Sequence, residues 1–546
     1  MPNYTMRADG TAANKAAALG GDPAQVSQCM NVTVASGETF SPDDFVLPAD
    51  TGGVYRDTLY LASNGSSGNP ITYKNYPGHS PKVSGADLIT GWSVDSGDRY
   101  QATLATTPYH VLVDGVLGTG KASAGACTSN GDFYYDGGGN TLYLYDDTQD
   151  PDDYSSPGIE ATVRDTVVEF ATDQDYVTLD GIHVSGGNYA SIRAVNPGNY
   201  CVIQNCLVEY AGEHGIGVGD DTQTSTGTGW IIQDNECRYN MVTGITAMYR
   251  VTEMDIRRNN VHNNATLTWP GDDYTGNIKL FDNTDYLDNV RIYENYVHDT
   301  GRGLVDDYKG RGVGIWTDAT KPPTGTVDIY HNWVQDCDGD GIFIEISDDT
   351  RVWGNVVVDC GTCDPGWGQD HLPAGIDIDI RETFDSENNL IYNNIVIGGQ
   401  VALSCAGYDL GSGRMNNNIW RNNVCYGYSD HALVCDEAGA NDTYGSGNVY
   451  NNNAFGTESS NFIWWKSGYS TYDAWLAASS QTDNNTEDDL SSAFTNPGAD
   501  DYTCAPGSPL IGAGVDLGSP FNTGLMPASL KAQFPSNVVT GDRGDY

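Results

Sequence analysis

The sequence predicts an all-β chain wound as a solenoid, with a small antiparallel β insert near its start. Three observations carry this. A short apolar–Asn–Val pattern recurs through the middle of the chain. A second strand pattern recurs once per repeat. Sixty-six glycines and 34 tyrosines, with few helix-forming runs, suit strands joined by turns. A length of 546 residues suggests several domains unless one repeat fold accounts for it, and 39% hydrophobic residues are enough for a core.

The first pattern appears in "DIRRNNVHNN", "RIYENYVHDT", "DIYHNWVQDC", "RVWGNVVVDC", "LIYNNIVIGG" and "NIWRNNVCYG". Each reads apolar-x-x-Asn-x-Val, with the asparagine at Asn259, Asn295, Asn332, Asn355, Asn394 and Asn422. Asn235 and Asn452 extend the series in looser form. The shortest step, Asn332 to Asn355, is 23 residues, and the longest, Asn355 to Asn394, is 39. A fixed minimum with irregular excess is one coil plus loops inserted at a corner. An inward amide is tolerable only if it bonds the turn backbone of its neighbours, so the asparagines are expected to stack as a ladder.

The second pattern gives one strand per coil: "GIGVG", "GITAM", "NIKLF", "GIWTD", "GIFIE", "GIDID", "ALSCA" and "ALVCD". Their second and fourth residues are mostly apolar and face inward, while the third and fifth face outward. With the asparagine ladder, these strands resemble the right-handed parallel β-helix of the pectate-lyase-like superfamily over about residues 165–460.

The flanks read differently. Residues 1–86 are read as an N-terminal cap and entry coil, the latter from "NPITYKNYPGHSPKVSG". Residues 87–164 contain "HVLVDG" and "GDFYYDGGGNTLYLYD", hairpin strands with Gly/Asn turns, and form the antiparallel insert. The β-helix with its groove takes 165–460, and 461–546 supply a closing coil and tail, with "STYDAWLAAS" as a capping helix.

Seventy-three acidic against 26 basic residues give a formal charge of −47. That argues against nucleic acid and against anionic membranes as partners. No run of apolar residues is long enough for a membrane span, and the N-terminus lacks the apolar stretch of a signal peptide. Secretion after trimming, or carriage on a virus particle, is the expected setting. The twelve cysteines have one C-x-x-C (Cys360, Cys363) and no second pair at zinc spacing. Cys405 and Cys435 fall at equivalent inward positions, as stacked thiols or one disulfide. Oligomeric state is not legible.

The outward positions carry the chemistry. Third positions in successive coils are Lys279, Trp316, Phe343 and Asp377, and fifth positions are Phe281, Asp318, Glu345 and Asp379. Like charges stacked on strands about 4.8 Å apart cost stability, so a chain that gathers them has a use for them. The longest inter-coil insertions flank this strip, and such loops build sites. Carboxyls about 5–5.5 Å apart suit a retaining glycosidase and about 6.5–9.5 Å an inverting one. Asp318 and Glu345, on neighbouring coils, fit the first, whereas Asp318 and Asp379 lie near the upper limit of the second. Glu345, flanked by negative charge on both sides, is the expected proton donor, and Asp318, beside Trp316, the nucleophile.

The stretch "GIWTDAT…GTVDIYHNWVQDCDGDGIFIEIS" resembles the catalytic region of the β-helix β-xylosidase family of glycoside hydrolases. The resemblance implies the same roles, Asp318 as nucleophile and Glu345 as acid/base; Asp379 joins the candidate catalytic residues from the outward column alone. After Glu345 the chain reads Ile-Ser-Asp-Asp where that family has His-Gly-Pro, so the sugar is not fixed. Trp316, Phe343, Asp377, Lys279, Arg381 and His371 are the candidate substrate-binding residues. No cofactor is required for this reading.

Two other classes fit parts of the pattern. A polysaccharide lyase would abstract a proton with Lys279 or Arg381 and is the setting in which calcium is possible, held by Asp318, Glu345, Asp377 and Asp379. A non-catalytic glycan-binding viral fibre would use Trp316, Trp269 and Trp367 as stacking platforms. The strip's scarcity of basic groups favours the hydrolase, because uronate polymers need cationic recognition.

Overall fold

The computed structural model describes residues 2–521, apart from 155–156, 223, 266–274, 285, 301–311, 364–372, 381–382, 407–412, 436–444, 460–461, 466–467, 480 and 482–484. The chain divides into two compact units, one of residues 1–218 with 238–241, the other of 219–237 with 242–546.

The first unit opens with Asn3–Met6 paired in parallel to Phe45–Pro48. A short helix, Val32–Gly37, is capped by the Asn31 side chain, which accepts from the Val34 amide. Parallel strands then build coils. Leu59–Leu61, Arg164–Phe170, Gly187–Ala194 and His214–Val218 stand side by side in one sheet. Ile71–Lys74, Val177–Asp180 and Val202–Gln204 form a second. Between the first coils lies the antiparallel insert, made of a four-stranded and a five-stranded sheet. Trp92, Leu142, Leu144, Val111 and Ile159 pack between them, and the Trp92 indole donates to the Ile89 carbonyl.

The second unit repeats the coil with three parallel sheets. Its core is a set of inward columns in which Ile278, Ile315, Ile342, Ile376, Leu403 and Leu433 stack in register, all fully buried. Cys405 and Cys435 stack in the same way as free thiols.

The asparagine ladder runs through this unit. Asn332 shows the pattern: its side-chain oxygen accepts from the backbone and side-chain nitrogens of Asn295, and its own amide donates to Ile292 O and to the Asn355 side chain. The same bonds link Asn235, Asn259, Asn295, Asn332, Asn355 and Asn394. The ladder then continues through Asn423, Asn453 and Asn485. Asn422 and Asn452 therefore stand one residue off the expected column. Each has φ of 58° and makes the left-handed turn that precedes the ladder amide, the place held by Arg258, Glu294, His331, Gly354 and Asn393 in other coils. Asparagine tolerates that conformation, so at Asn422–Asn423 and Asn452–Asn453 the first asparagine turns and the second stacks. A second ladder, Asn389–Asn418–Asn448, closes another corner.

Candidate functional site

Four consecutive strands of the second unit carry the predicted strip: β1 (Gly276–Phe281), β2 (Val313–Asp318), β3 (Ile342–Glu345) and β4 (Ala374–Asp379). Their register is exact in both outward columns. Lys279, Trp316, Phe343 and Asp377 are successive partners, followed by Ser404 on the next strand, β5 (Val401–Cys405). Phe281, Asp318, Glu345 and Asp379 are successive partners in the second column. The alternation that buries the isoleucines is what places these side chains on the other face.

The strip faces outward from the coil core, yet it is not open to solvent. Asp318 and Lys279 are each 6% exposed, Glu345 2% and Asp379 3%, with Asp377 also buried. Strand parity fixes the face on which a side chain lies, and it carries no information about what lies over that face. Trp316 and Phe343 have no solvent exposure and pack with Val313, their rings 5.5 Å apart and tilted. Neither presents an open ring face for a sugar in this structure. Arg381 and His371 lie outside the described residues, as do Trp269 and Trp367.

One contact was missed from the sequence. Lys279 Nζ is 2.8 Å from Asp318 Oδ2 and lies 3.5 Å above the centroid of the Trp316 ring. The lysine thus reaches diagonally, from one outward column on β1 to the other on β2. Diagonal neighbours in a sheet are within range of long side chains, and the register Phe281 to Asp318 contains the signal. An ammonium on an indole face gains cation–π attraction when desolvated, so the lysine is held from two sides.

The remaining carboxylates are held differently. Asp379 accepts from the Ile380 amide at 2.6 Å. Glu345 sits between Asp318 and Asp379 in the row. The residue after it, Ile346, has φ of 43°, a left-handed conformation that a β-branched side chain rarely adopts. Strain of this kind costs about 1–3 kcal/mol and persists where the surroundings over-determine it. Here Ile346 N donates to Asp379 O, Ala319 N donates to Glu345 O, and the Ser347 hydroxyl donates to Glu345 O at 2.7 Å. The backbone on both sides of the glutamate is thereby fixed. Among the described residues, no three His, Cys, Asp or Glu side chains form a metal-holding group. No helix among them is long and apolar enough to cross a membrane.

Comparison with known proteins bears on the architecture. The family model described as "Right handed beta helix region" matches residues 191–379. No curated protein sequence matches the chain significantly. Among solved structures, XylC in complex with xylose is similar at 13% identity and a TM-score of 0.61, covering 85% of this chain and 86% of that one. A structure titled glycoside hydrolase is similar at 9% identity and a TM-score of 0.44, covering 88% and 99%. The GH136 lacto-N-biosidase from Eubacterium ramulus is similar at 14% identity and a TM-score of 0.43, covering 78% and 68%. Ladder, register and likeness to XylC agree that this chain is a right-handed parallel β-helix protein with a small antiparallel insert.

Proposed function

We propose that the chain is a carbohydrate-active enzyme that hydrolyses glycosidic bonds with retention, using Asp318 as nucleophile and Glu345 as acid/base. The observation that carries this reading is the direct register of Asp318 with Glu345 on adjacent parallel strands, both buried. Strands about 4.8 Å apart bring such a pair close to the spacing of a double-displacement glycosidase.

The surroundings are consistent with these roles. Lys279 supplies positive charge to Asp318, and a main-chain amide serves Asp379. Glu345 lies between two carboxylates, so a proton on the row is best placed there. In the first step an Asp318 oxygen attacks the anomeric carbon. The bond to the leaving oxygen breaks, and that oxygen takes the Glu345 proton. In the second, water attacks the same carbon and gives a proton to Glu345. The bond to Asp318 then breaks and its electron pair returns to the carboxylate.

The lyase reading is weaker on one specific point. A lysine that abstracts a proton must be neutral, and Lys279 is ion-paired.

Asp318→Asn and Glu345→Gln are each expected to lower hydrolysis of a natural glycoside by at least about 10³-fold, which exceeds a typical general acid–base contribution at its lower end. On an activated aryl glycoside Glu345→Gln keeps the first step, while Asp318→Asn loses it. The assay is reducing-end release from an oligosaccharide and polysaccharide panel, with product stereochemistry by NMR. Products bearing an unsaturated uronate, or full activity in Asp318→Asn, would replace the hydrolase with the lyase.

A further inference from the structure

We infer that Lys279 is a positioning residue for the second half of the reaction: it fixes which Asp318 oxygen attacks and draws the carboxylate back out of the glycosyl ester. The inference rests on the hydrolase reading and adds to it a role for a residue otherwise assigned to substrate contact.

The geometry is specific. Nζ bonds Oδ2 of Asp318 at 2.8 Å, which leaves Oδ1 as the oxygen to attack. The lysine cannot swing away freely, because its ammonium is seated over the buried Trp316 ring at 3.5 Å and the side chain is itself buried. Lys279 belongs to the same two outward columns as Asp318, Glu345, Asp377 and Asp379.

The two steps then differ in what the lysine does. Before the first step Asp318 carries a full negative charge, and that charge falls as Oδ1 bonds to the anomeric carbon. The ammonium therefore stabilises the starting state more than the transition state. Once the ester has formed, Oδ2 is its carbonyl oxygen and still faces Nζ. During the second step the bond between Oδ1 and the anomeric carbon breaks, and negative charge returns to the carboxylate. Nζ meets that charge as it develops, so the interaction is stronger in the transition state than in the ester. No proton leaves the lysine. Water supplies the nucleophile and Glu345 takes its proton.

Removing the charge should thus slow release of the sugar far more than its capture. The test uses the full chain, with Lys279→Met, Lys279→Gln and Lys279→Arg, on dinitrophenyl glycosides that the unmodified protein turns over. Lys279→Met and Lys279→Gln are expected to show a burst of dinitrophenol of about one equivalent, followed by a steady rate lowered about 10²-fold, the size of one lost transition-state donor. Mass spectrometry should find the sugar on the Asp318 peptide. Lys279→Arg should recover much of the steady rate, and circular dichroism should show all three folded. A steady rate unchanged from the unmodified protein, a rise in KM alone, or equal loss in burst and steady phases overturns the lysine's role and leaves the hydrolase standing. If the unmodified protein turns over no glycoside, both readings fall.

Discussion

Two outward faces of the second unit place charge in opposite ways. On the sheet that includes Val290–Tyr293, Val327–Tyr330 and Thr350–Trp353, acid and base alternate down one column as Asp255, Arg291, Asp328 and Arg351. Arg291 Nε is 2.6 Å from Asp255, and Arg351 grips Asp328 with two nitrogens at 2.5 and 2.6 Å. Beside them Tyr293, Tyr330 and Trp353 stack nearly parallel, 4.8 and 4.5 Å apart. On the β1–β4 face, the two outward columns place Asp318, Glu345, Asp377 and Asp379 in neighbouring positions, with Lys279 bonded to Asp318. The same backbone and the same strand spacing serve both. A solenoid can thus place an alternating base beside each acid in one column and gather acids in another, and the gathered acids are the ones put to chemical use in the proposed hydrolysis.

The comparison breaks most sharply at Arg351. Arg351→Met strips two donors from Asp328, a carboxylate that is 9% exposed. A fully buried pair loses about 3–5 kcal/mol when one partner goes, and the partly exposed arginine here brings the expected loss to about 2 kcal/mol. Urea denaturation measures it, and kcat should be unchanged. A Arg351→Met protein with intact stability and lost activity would erase the distinction between the faces. Glu345→Gln tests the other side. It removes the cost of holding a proton on this carboxyl in the folded chain and should raise stability by about 1 kcal/mol at neutral pH while hydrolysis collapses. A fall in the denaturation midpoint would mean the acidic row is structural.

The smallest effect sharpens the contrast by pH. Burial, with Tyr293 alongside, pushes the Tyr330 phenol up to about 12 from the ordinary 10. The folded value lies above the unfolded one. The contribution is therefore whole below pH 10 and is lost as pH rises through about 12. Denaturation midpoints across that range should fall in the unmodified protein and fall less in Tyr330→Phe.

The coil was legible because its two signals are periodic and local: an amide at one turn and alternation along one strand. The one-residue slip at Asn422 arose where the turn residue and the ladder residue are both asparagine, so the letters alone cannot separate left-handed turn from inward amide. At the site, alternation correctly gathered Asp318, Glu345, Asp377 and Asp379 onto one face. It missed the Lys279–Asp318 bond, which joins two columns diagonally, because columns were read one at a time. Burial of the strip was invisible because period-two patterning distinguishes the two faces of a strand and is silent about cover.

The exact register of Asp318, Glu345 and Asp379 has a consequence for ancestry. The strands that carry these carboxyls are spaced by the hydrogen-bond repeat of the sheet, a length that mutation cannot stretch. An enzyme built on loops can drift between stereochemical outcomes by small shifts, but this scaffold offers only whole coils. Descendants that changed outcome would have had to hand the acid from one rung to the next, through an intermediate carrying acids on both. On the proposed hydrolase mechanism, a row of three acids on consecutive rungs is the form such an intermediate would take, with the other outcome one substitution away.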